Sequence, residues 1–127
     1  MTQEEKNLLL KDLCARLPYG VKISVQSWDE EEQVFVDKVD VLYSVNKDRY
    51  IKSANEDHEF SIEDVKPYLL PMSSMTEEQR NEFHELLCDA KHGIDIDYFD
   101  WCHKNNLDCR RFIPMGFAID ATGLNIY

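Results

Sequence analysis

Cysteine and histidine residues in the C-terminal half of the chain have the types and spacing of metal ligands. His84, Cys88 and His92 recur every four residues, and Cys102 and His103 follow closely. Residues four apart share one face of a helix, whereas residues eight apart are separated by about 12 Å along its axis. A zinc site would therefore use one neighbouring pair, His84 with Cys88 or Cys88 with His92, together with Cys102 or His103.

The same residues also fit a purely structural interpretation. Cys88 borders an apolar stripe of its helix, and the histidines on either side would lie at the solvent-exposed edge of that stripe. We therefore predict no bound metal and no cofactor. Four residues are kept as alternative metal ligands: His84, Cys88, Cys102 and His103.

Other chemistry is suggested by single groups of residues. Asp95, Asp97 and Asp100 could bind a hard cation, although capping of a helix N-terminus explains them as well. Cys102 beside His103 suggests a thiol nucleophile with its base, but adjacent helical residues point about 100° apart. The four glycines form no nucleotide-binding pattern. We predict no catalytic residue, and the alternative is a small metal- or thiol-dependent enzyme.

Composition restricts the class of function. The 127 residues suit one domain, and 25 acidic against 14 basic residues give a formal charge of −11. This charge repels phosphate backbones and argues against direct binding of nucleic acid. No stretch has the roughly 20 apolar residues of a membrane span, and the charged N-terminus is unlike a signal peptide. We expect a cytoplasmic protein whose four cysteines are free thiols.

The N-terminal half of the chain predicts one helix followed by a β-meander. Thr2 and Glu5 form a capping box for a helix over about residues 3–16, which "LPYG" ends. Alternating β-branched residues between 21 and 62 predict four or five short strands joined by tight turns, the first of which is the acidic "WDEEEQ".

The C-terminal half predicts helices. A second capping box, Thr76 with Gln79, begins a helix that ends at Gly93, and a third helix starts at Asp95 or Asp97. In "SIEDVKPYLLPMSSMTEEQ", which separates the two halves, Ser61 caps a single turn and two prolines limit it. This stretch is interpreted as a structural joint.

The predicted fold class is α+β. It is a small antiparallel SH3-like partial barrel of four or five short strands, with an N-terminal helix and a C-terminal set of two to three helices. Residues 1–127 form a single domain with three lobes: a helix over 1–17, a β lobe over 18–71 and a helical lobe over 72–127. Leu13, Cys14, Phe83, Leu86, Cys88 and Trp101 are the predicted core residues.

Three stretches resemble a family of small uncharacterised proteins encoded by gut bacteria and by their phages and mobile elements. They are "LLLKDLCARLPYGVK", "IEDVKPYLLPMSSMTEEQ" and "FIPMGFAIDA", which lie at both ends and at the joint. The family tends to have arginine where this chain has Leu70, and its tail often reads "FDYRGLI" where residues 107–113 read "LDCRRFI". The resemblance implies no known activity and suggests an accessory role for a phage or mobile element.

These features favour a non-enzymatic protein–protein interaction module that binds a host or phage protein. A free sheet edge could accept a strand from the partner. Trp28 could anchor that partner, or it could close the hydrophobic end of the sheet. A further alternative is an acidic DNA mimic that occupies the nucleic-acid groove of its target.

Overall fold

A computed structural model describes residues 1–89 and 95–127, with side chains for 1–86 and 98–127. The helices are α1 (Gln3–Arg16), α2 (Glu77–Asp89), α3 (Asp95–Lys104) and α4 (Phe112–Met115). The strands are β1 (Lys22–Asp29), β2 (Val34–Val45), β3 (Ile51–Ser53), β4 (Glu59–Phe60), β5 (Lys66–Leu69) and β6 (Ile119–Asp120). The predicted helix end at Gly93 lies outside the described residues, as do the side chains of Asp95 and Asp97.

Six strands form one sheet in the order β4-β3-β2-β1-β5-β6. Pairing is antiparallel except between β5 and β6, which run parallel. The predictions of an α+β fold, an N-terminal helix and a mostly antiparallel sheet are confirmed, and the sheet is not closed. The SH3-like arrangement and the number of C-terminal helices stay predictions. In the described residues, no helix has the length and apolar character needed to cross a bilayer.

The predicted helix caps are present. Thr2 accepts a hydrogen bond from the Glu5 amide, and the Glu5 carboxylate accepts one from the Thr2 amide, which completes the first capping box. Thr76 and Gln79 form the second box in the same way, at 3.0 and 3.1 Å. Ser61 caps a single 3-10 turn, as the sequence predicted. These bonds satisfy backbone amides that a helix N-terminus leaves without an internal partner.

The core lies between α1 and the sheet. Leu9, Leu10 and Leu13 of α1 pack on the strands, and Phe112 and Ala118 of the C-terminal region join the same cluster. The expectation that Leu13 is core is therefore confirmed. The same expectation for Cys14 is wrong, because Cys14 is exposed on α1. Phe83, Leu86 and Trp101 are half-buried, and the Cys88 side chain lies outside the described part.

The first two strands extend beyond their neighbours as a two-stranded arm, residues 25–39. In the described residues, β1 pairs with β5 at Ile23 and Ser24 alone, and β2 pairs with β3 from Leu42 onward. Residues 25–29 and 34–39 pair with each other, and the acidic turn joins them. Among residues 1–89 and 95–127, the arm therefore has two strand edges without a neighbouring strand.

Candidate functional site

A buried ion pair on α1 is the base of the first candidate site. Asp12 and Arg16 are one helical turn apart, and both are completely buried. Arg16 Nε donates to Asp12 Oδ2 at 2.7 Å, and Arg16 Nη2 donates to the Leu107 carbonyl at 2.7 Å. Burial alone would raise the pKa of Asp12, but His103 and Arg16 lower it below its ordinary value. The carboxylate is therefore charged.

Two further groups surround the Asp12 carboxylate. Arg110 Nε donates to Oδ1 at 3.3 Å, while the guanidinium of Arg110 lies over the Phe99 ring at 4.5 Å from its centroid. His103 Nε2 is also 3.3 Å from Oδ1, but its geometry does not make a hydrogen bond. One carboxylate thus faces two arginines and a histidine.

The loop after α3 brings a thiol to this cluster. Asn106 adopts a left-handed conformation (φ 58°), which ends the helix and turns the chain back. Leu107 then forms a parallel bridge with Leu70 after β5: the Leu70 amide donates to the Asn106 carbonyl and the Asp108 amide to the Leu70 carbonyl, both at 2.8 Å. Cys109 is the next residue, so its position is fixed from the N-terminal side.

The C-terminal side of Cys109 is fixed by the short helix α4. Asp108 accepts hydrogen bonds from the Phe112 and Ile113 amides at 2.8 and 2.9 Å. Arg111 precedes that helix in a left-handed conformation (φ 60°). Because Phe112 is buried in the core, the loop around Cys109 is attached to the core at both of its ends.

Cys109 interacts with two residues of α3, Cys102 and His103, and its sulfur lies within 4.8 Å of a ring nitrogen of His103. The interaction with Cys102 is the largest influence on Cys109, and together with that of His103 it lowers the pKa of the Cys109 thiol against the opposing effect of burial. The same contact and burial raise the pKa of Cys102. Burial opposes charge on His103, yet Asp12 and Cys109 raise its pKa. These opposite shifts favour a negative charge on Cys109 over one on Cys102.

The cluster suits an anion better than a metal cation. One ligand atom from each of Asp12, His103 and Cys109 lies within 4.8 Å of the others, which is compatible with a three-ligand metal site. However, Asp12 already accepts hydrogen bonds from Arg16 and Arg110, so Zn²⁺ would have to enter beside two guanidinium charges. The donor set therefore fits a metal poorly.

A cleft of about 560 Å³ opens beside the thiol. Its walls come from the joint after β5, from α3 and from the loop that carries Cys109. The lining residues are Pro71, Met72, Tyr98, Asp108, Cys109, Arg111, Ile113, Pro114 and Asp120. Burial is the main cause that raises the pKa of Tyr98 to about 12, so its hydroxyl stays protonated. Cys109 lines the cleft, whereas Cys102 is buried.

The arm is a second candidate site. Trp28 and Phe35 lie opposite each other, with their rings edge to face and centroids 5.1 Å apart. Side chains alternate between the faces of a strand, so Val34 and Val36 lie on the face away from Phe35. Trp28 is 50% exposed and Phe35 63% exposed, and the three valines of β2 in the arm are exposed too: Val34, Val36 and Val39.

Acidic residues cover the end of the arm. Asp29, Glu30, Glu31 and Glu32 follow one another at the turn, and Asp37 adds a fifth carboxylate against the single lysine, Lys38. The arm therefore combines exposed apolar side chains, unpaired strand edges and negative charge.

The residues predicted from sequence are distributed over both candidate sites. Cys102 and His103 are buried and both contact Cys109, whereas His84 is exposed on α2 and lies outside the group of possible ligands found in the described residues. The Cys88 side chain is outside the described part. Trp28 is half-exposed on the arm and is not part of the core cluster.

Sequence reasoning missed Asp12 and Cys109. A signal for Asp12 was present, because Leu9, Asp12, Leu13 and Arg16 have the i, i+3, i+4, i+7 spacing of one helix face. Two charged residues inside an apolar stripe indicate a buried ion pair. Cys109 had no comparable signal, because its partners come from α1 and α3.

Comparison with protein-family models, with curated proteins and with solved structures gives no significant match to this chain. The resemblance to the phage and gut-bacterial family therefore stays a prediction.

Proposed function

We propose that this chain is a non-enzymatic interaction module that binds another protein through its arm. The observation that carries the proposal is the exposure of Phe35 and Trp28 on strands whose outer edges pair with no other strand in the described part of the chain. Contiguous exposed apolar surface on a small protein usually marks a binding site. Burial of such surface is favourable by about 25 cal/mol per Å², so a partner that covers the arm would gain affinity from it.

The chemistry of the arm defines the partner. Asp29, Glu30, Glu31 and Glu32 border the aromatic pair, so the matching surface is an apolar groove bordered by lysine or arginine. The free edges of β1 and β2 can also pair with a strand of the partner, as in β-augmentation. A second copy of this acidic chain would repel the arm, so the favoured partner is a different, basic protein.

The biological setting is also part of the proposal. The family resemblance favours a host or phage protein as the partner, and the cytoplasm as its location. The SH3-like character of the sheet is supported by the bulge between Leu42 and Ser44, since a bulge increases strand twist. A DNA mimic is the special case in which the partner is a DNA-binding protein, and duplex DNA would then compete with the arm.

A photo-crosslinking phenylalanine analogue in place of Phe35 tests this proposal. The same analogue in place of Tyr43, which is 64% exposed on β2 outside the arm, is the matched control. We expect a protein from host or phage-infected cells to be crosslinked at position 35 and not at position 43. Mass spectrometry identifies it, and the purified protein is then titrated with this chain.

Titration of the purified partner with the wild-type and substituted chains measures how much the arm contributes to binding. Phe35→Ser is expected to raise Kd about tenfold or more, and Tyr43→Ser less than about twofold, because central aromatic residues contribute most binding energy. Added salt should raise Kd because it screens the acidic turn. Equal effects of the two substitutions would refute docking through the arm. A homodimer that Phe35→Ser disrupts would refute the basic partner.

A further inference from the structure

We propose that the partner adds a strand to the β1 edge of the arm, antiparallel to β1, and places a lysine or arginine side chain in the cavity beside that edge. This inference rests on the binding role proposed above, and it specifies the edge that is used and the side chain that is recognised. Its basis is the direction of the backbone groups of β1, the loop that crosses the β2 edge, and the charge of the cavity.

The backbone groups of β1 point alternately towards β2 and away from it, as in any antiparallel pair. The Leu42 amide donates to the Val21 carbonyl at 3.0 Å, so the odd-numbered residues of β1 are those that bond to β2. The even-numbered residues point to the side of β5. The Lys22 amide does so: it donates to the Tyr127 hydroxyl at 3.0 Å, which in turn donates to the Tyr68 carbonyl of β5 at 2.6 Å.

Two residues of the arm present these groups to solvent. In the part of the chain that the structure describes, no strand pairs with β1 beyond Ser24 on the β5 side. The chain enters β5 from the direction of α1, because Glu63 of the preceding turn pairs with Lys6. Gln26 and Trp28 are the next even-numbered residues of β1, and both are exposed. An added strand can therefore bond to their amides and carbonyls without displacing a strand of the sheet.

The β2 edge is less open, because the chain that follows β3 is held across it. The Ala54 amide donates to the Val41 carbonyl at 2.9 Å. The backbone and side-chain amides of Asn55 then donate to the Asp40 carboxylate at 2.9 and 2.8 Å. Asp40 is 5% exposed, so these bonds are shielded from water. A strand added to β2 would end against this loop, whereas a strand added to β1 reaches the cavity.

A cavity of about 310 Å³, the acidic pocket, adjoins the β1 edge. It is lined by Ser24, Gln26, Asp37, Glu63, Asp64, Lys66 and Ile119. Its three carboxylates outnumber its single lysine. Glu63 is already paired with Lys6, whereas Asp37 and Asp64 have no ion-pair partner among the described residues. These two carboxylates favour a cationic side chain as the ligand of the pocket.

The register of strand pairing defines the sequence that fits. Both strands beside β1 run antiparallel to it, and antiparallel pairing is slightly the more stable kind. Directly opposite residues have their side chains on the same face of the sheet. The partner residue opposite Trp28 would pack on its ring, and the residue two positions later would lie opposite Gln26, whose neighbour on β2 is Asp37. The motif is therefore an apolar residue followed two positions later by lysine or arginine.

Synthetic peptides added to the full chain test this inference without the natural partner. The first peptide has acetylated and amidated ends and alternates threonine with valine, except that one valine is tryptophan and the next is lysine. The second peptide has glutamate in place of that lysine. We expect saturable binding of the lysine peptide, with NMR shift changes at the Gln26 and Trp28 amides. The glutamate peptide should bind at least about tenfold more weakly.

Proline substitutions identify the edge. Gln26→Pro removes an amide that points away from β2, so the pairing of β1 with β2 keeps its hydrogen bonds. It should raise Kd for the lysine peptide at least about tenfold. Val39→Pro is the matched control, because the amide of Val39, like the groups of Val41, points to the β3 side of β2. It should change Kd less than about twofold. Thermal melts and circular dichroism report whether each variant is folded.

Charge reversal in the acidic pocket gives a readout that a loss of folding cannot imitate. Asp37→Lys replaces an exposed carboxylate by an ammonium group. The lysine peptide should then bind about tenfold more weakly, and the glutamate peptide more tightly than it binds the wild type. A variant that is only destabilised would bind both peptides more weakly.

Four results would overturn the inference. They are no saturable binding of the lysine peptide up to about 1 mM, equal binding of the two peptides, a larger effect of Val39→Pro than of Gln26→Pro, and a dimer of this chain that Gln26→Pro disrupts. Crosslinking at position 35 tests the binding role of the arm separately. A protein crosslinked there, combined with any of these four results, would keep the arm as the binding site and refute the β1 edge as its mode of binding.

Discussion

Replacement of Asp12 by alanine is expected to destabilise the fold by about 3–5 kcal/mol, because it leaves a buried charge without its partner. Arg16 would keep the Leu107 carbonyl as an acceptor, but its charge and that of Arg110 would no longer be neutralised. For a domain of this size the expected loss corresponds to a decrease in Tm of roughly 10–20 °C. Urea denaturation and thermal melts of both proteins measure it.

An exposed ion pair that also involves α1 is the matched control. Glu63 pairs with Lys6 and is half-exposed, so Glu63→Ala should lower the free energy of unfolding far less than Asp12→Ala does. A loss below 1 kcal/mol in the Asp12→Ala protein would contradict the buried cluster as described.

The pH dependence of the same ion pair has a defined sign. The pKa of Asp12 is lowered in the folded state, so its contribution is complete above the unfolded value of about 3.9. It is lost as the pH falls through the folded pKa. The difference in unfolding free energy between the wild type and Asp12→Asn should therefore decrease below about pH 4, and it should also decrease as the pH rises through the folded pKa of His103, which Asp12 raises.

The second large expected effect is a difference in stability loss between a substitution in the core and one in the arm. Phe112 is 1% exposed and packs in the core, so Phe112→Ala should cost about 3–5 kcal/mol. Phe35→Ala removes the same atoms from a residue that is 63% exposed. It should cost about 1 kcal/mol or less, mainly through the contact with Trp28.

Denaturation curves of the two alanine variants check this difference. A large loss of stability in Phe35→Ala would mean that the arm's aromatic pair supports the fold. Its exposure would then no longer indicate a binding surface. A small loss in Phe112→Ala would contradict the attachment of the Cys109 loop to the core.

Much of the fold could be predicted because its signals are local. Capping residues at Thr2 and Thr76 and the change of hydrophobic period after Gly20 are sufficient for α1, α2 and the meander. The parallel pairing of β5 with β6 was not predicted. β6 has two residues, and its partner is about 50 positions earlier in the chain, so no local pattern could indicate it.

The two candidate sites also differ in whether local sequence signals could indicate them. Trp28 and the acidic turn are contiguous, so the sequence alone could nominate them. Cys102 and His103 were considered as a pair, and their adjacency argued against direct contact. The structure joins them through Cys109, which the left-handed Asn106 and the bridge at Leu70 bring back to α3. Such a contact depends on tertiary structure and had no signature in residue spacing.

Amide hydrogen exchange tests most directly the claim that the arm binds the partner. It is measured on the protein alone and in complex with the purified partner that crosslinking identifies. In the free protein, amides of the arm's unpaired edges should exchange rapidly, since a two-stranded ribbon is only marginally stable in water. With the partner bound, exchange in residues 25–39 should slow by about tenfold or more, while the loop around Cys109 is unchanged. Protection confined to another surface, with the arm still exchanging rapidly, would contradict the account.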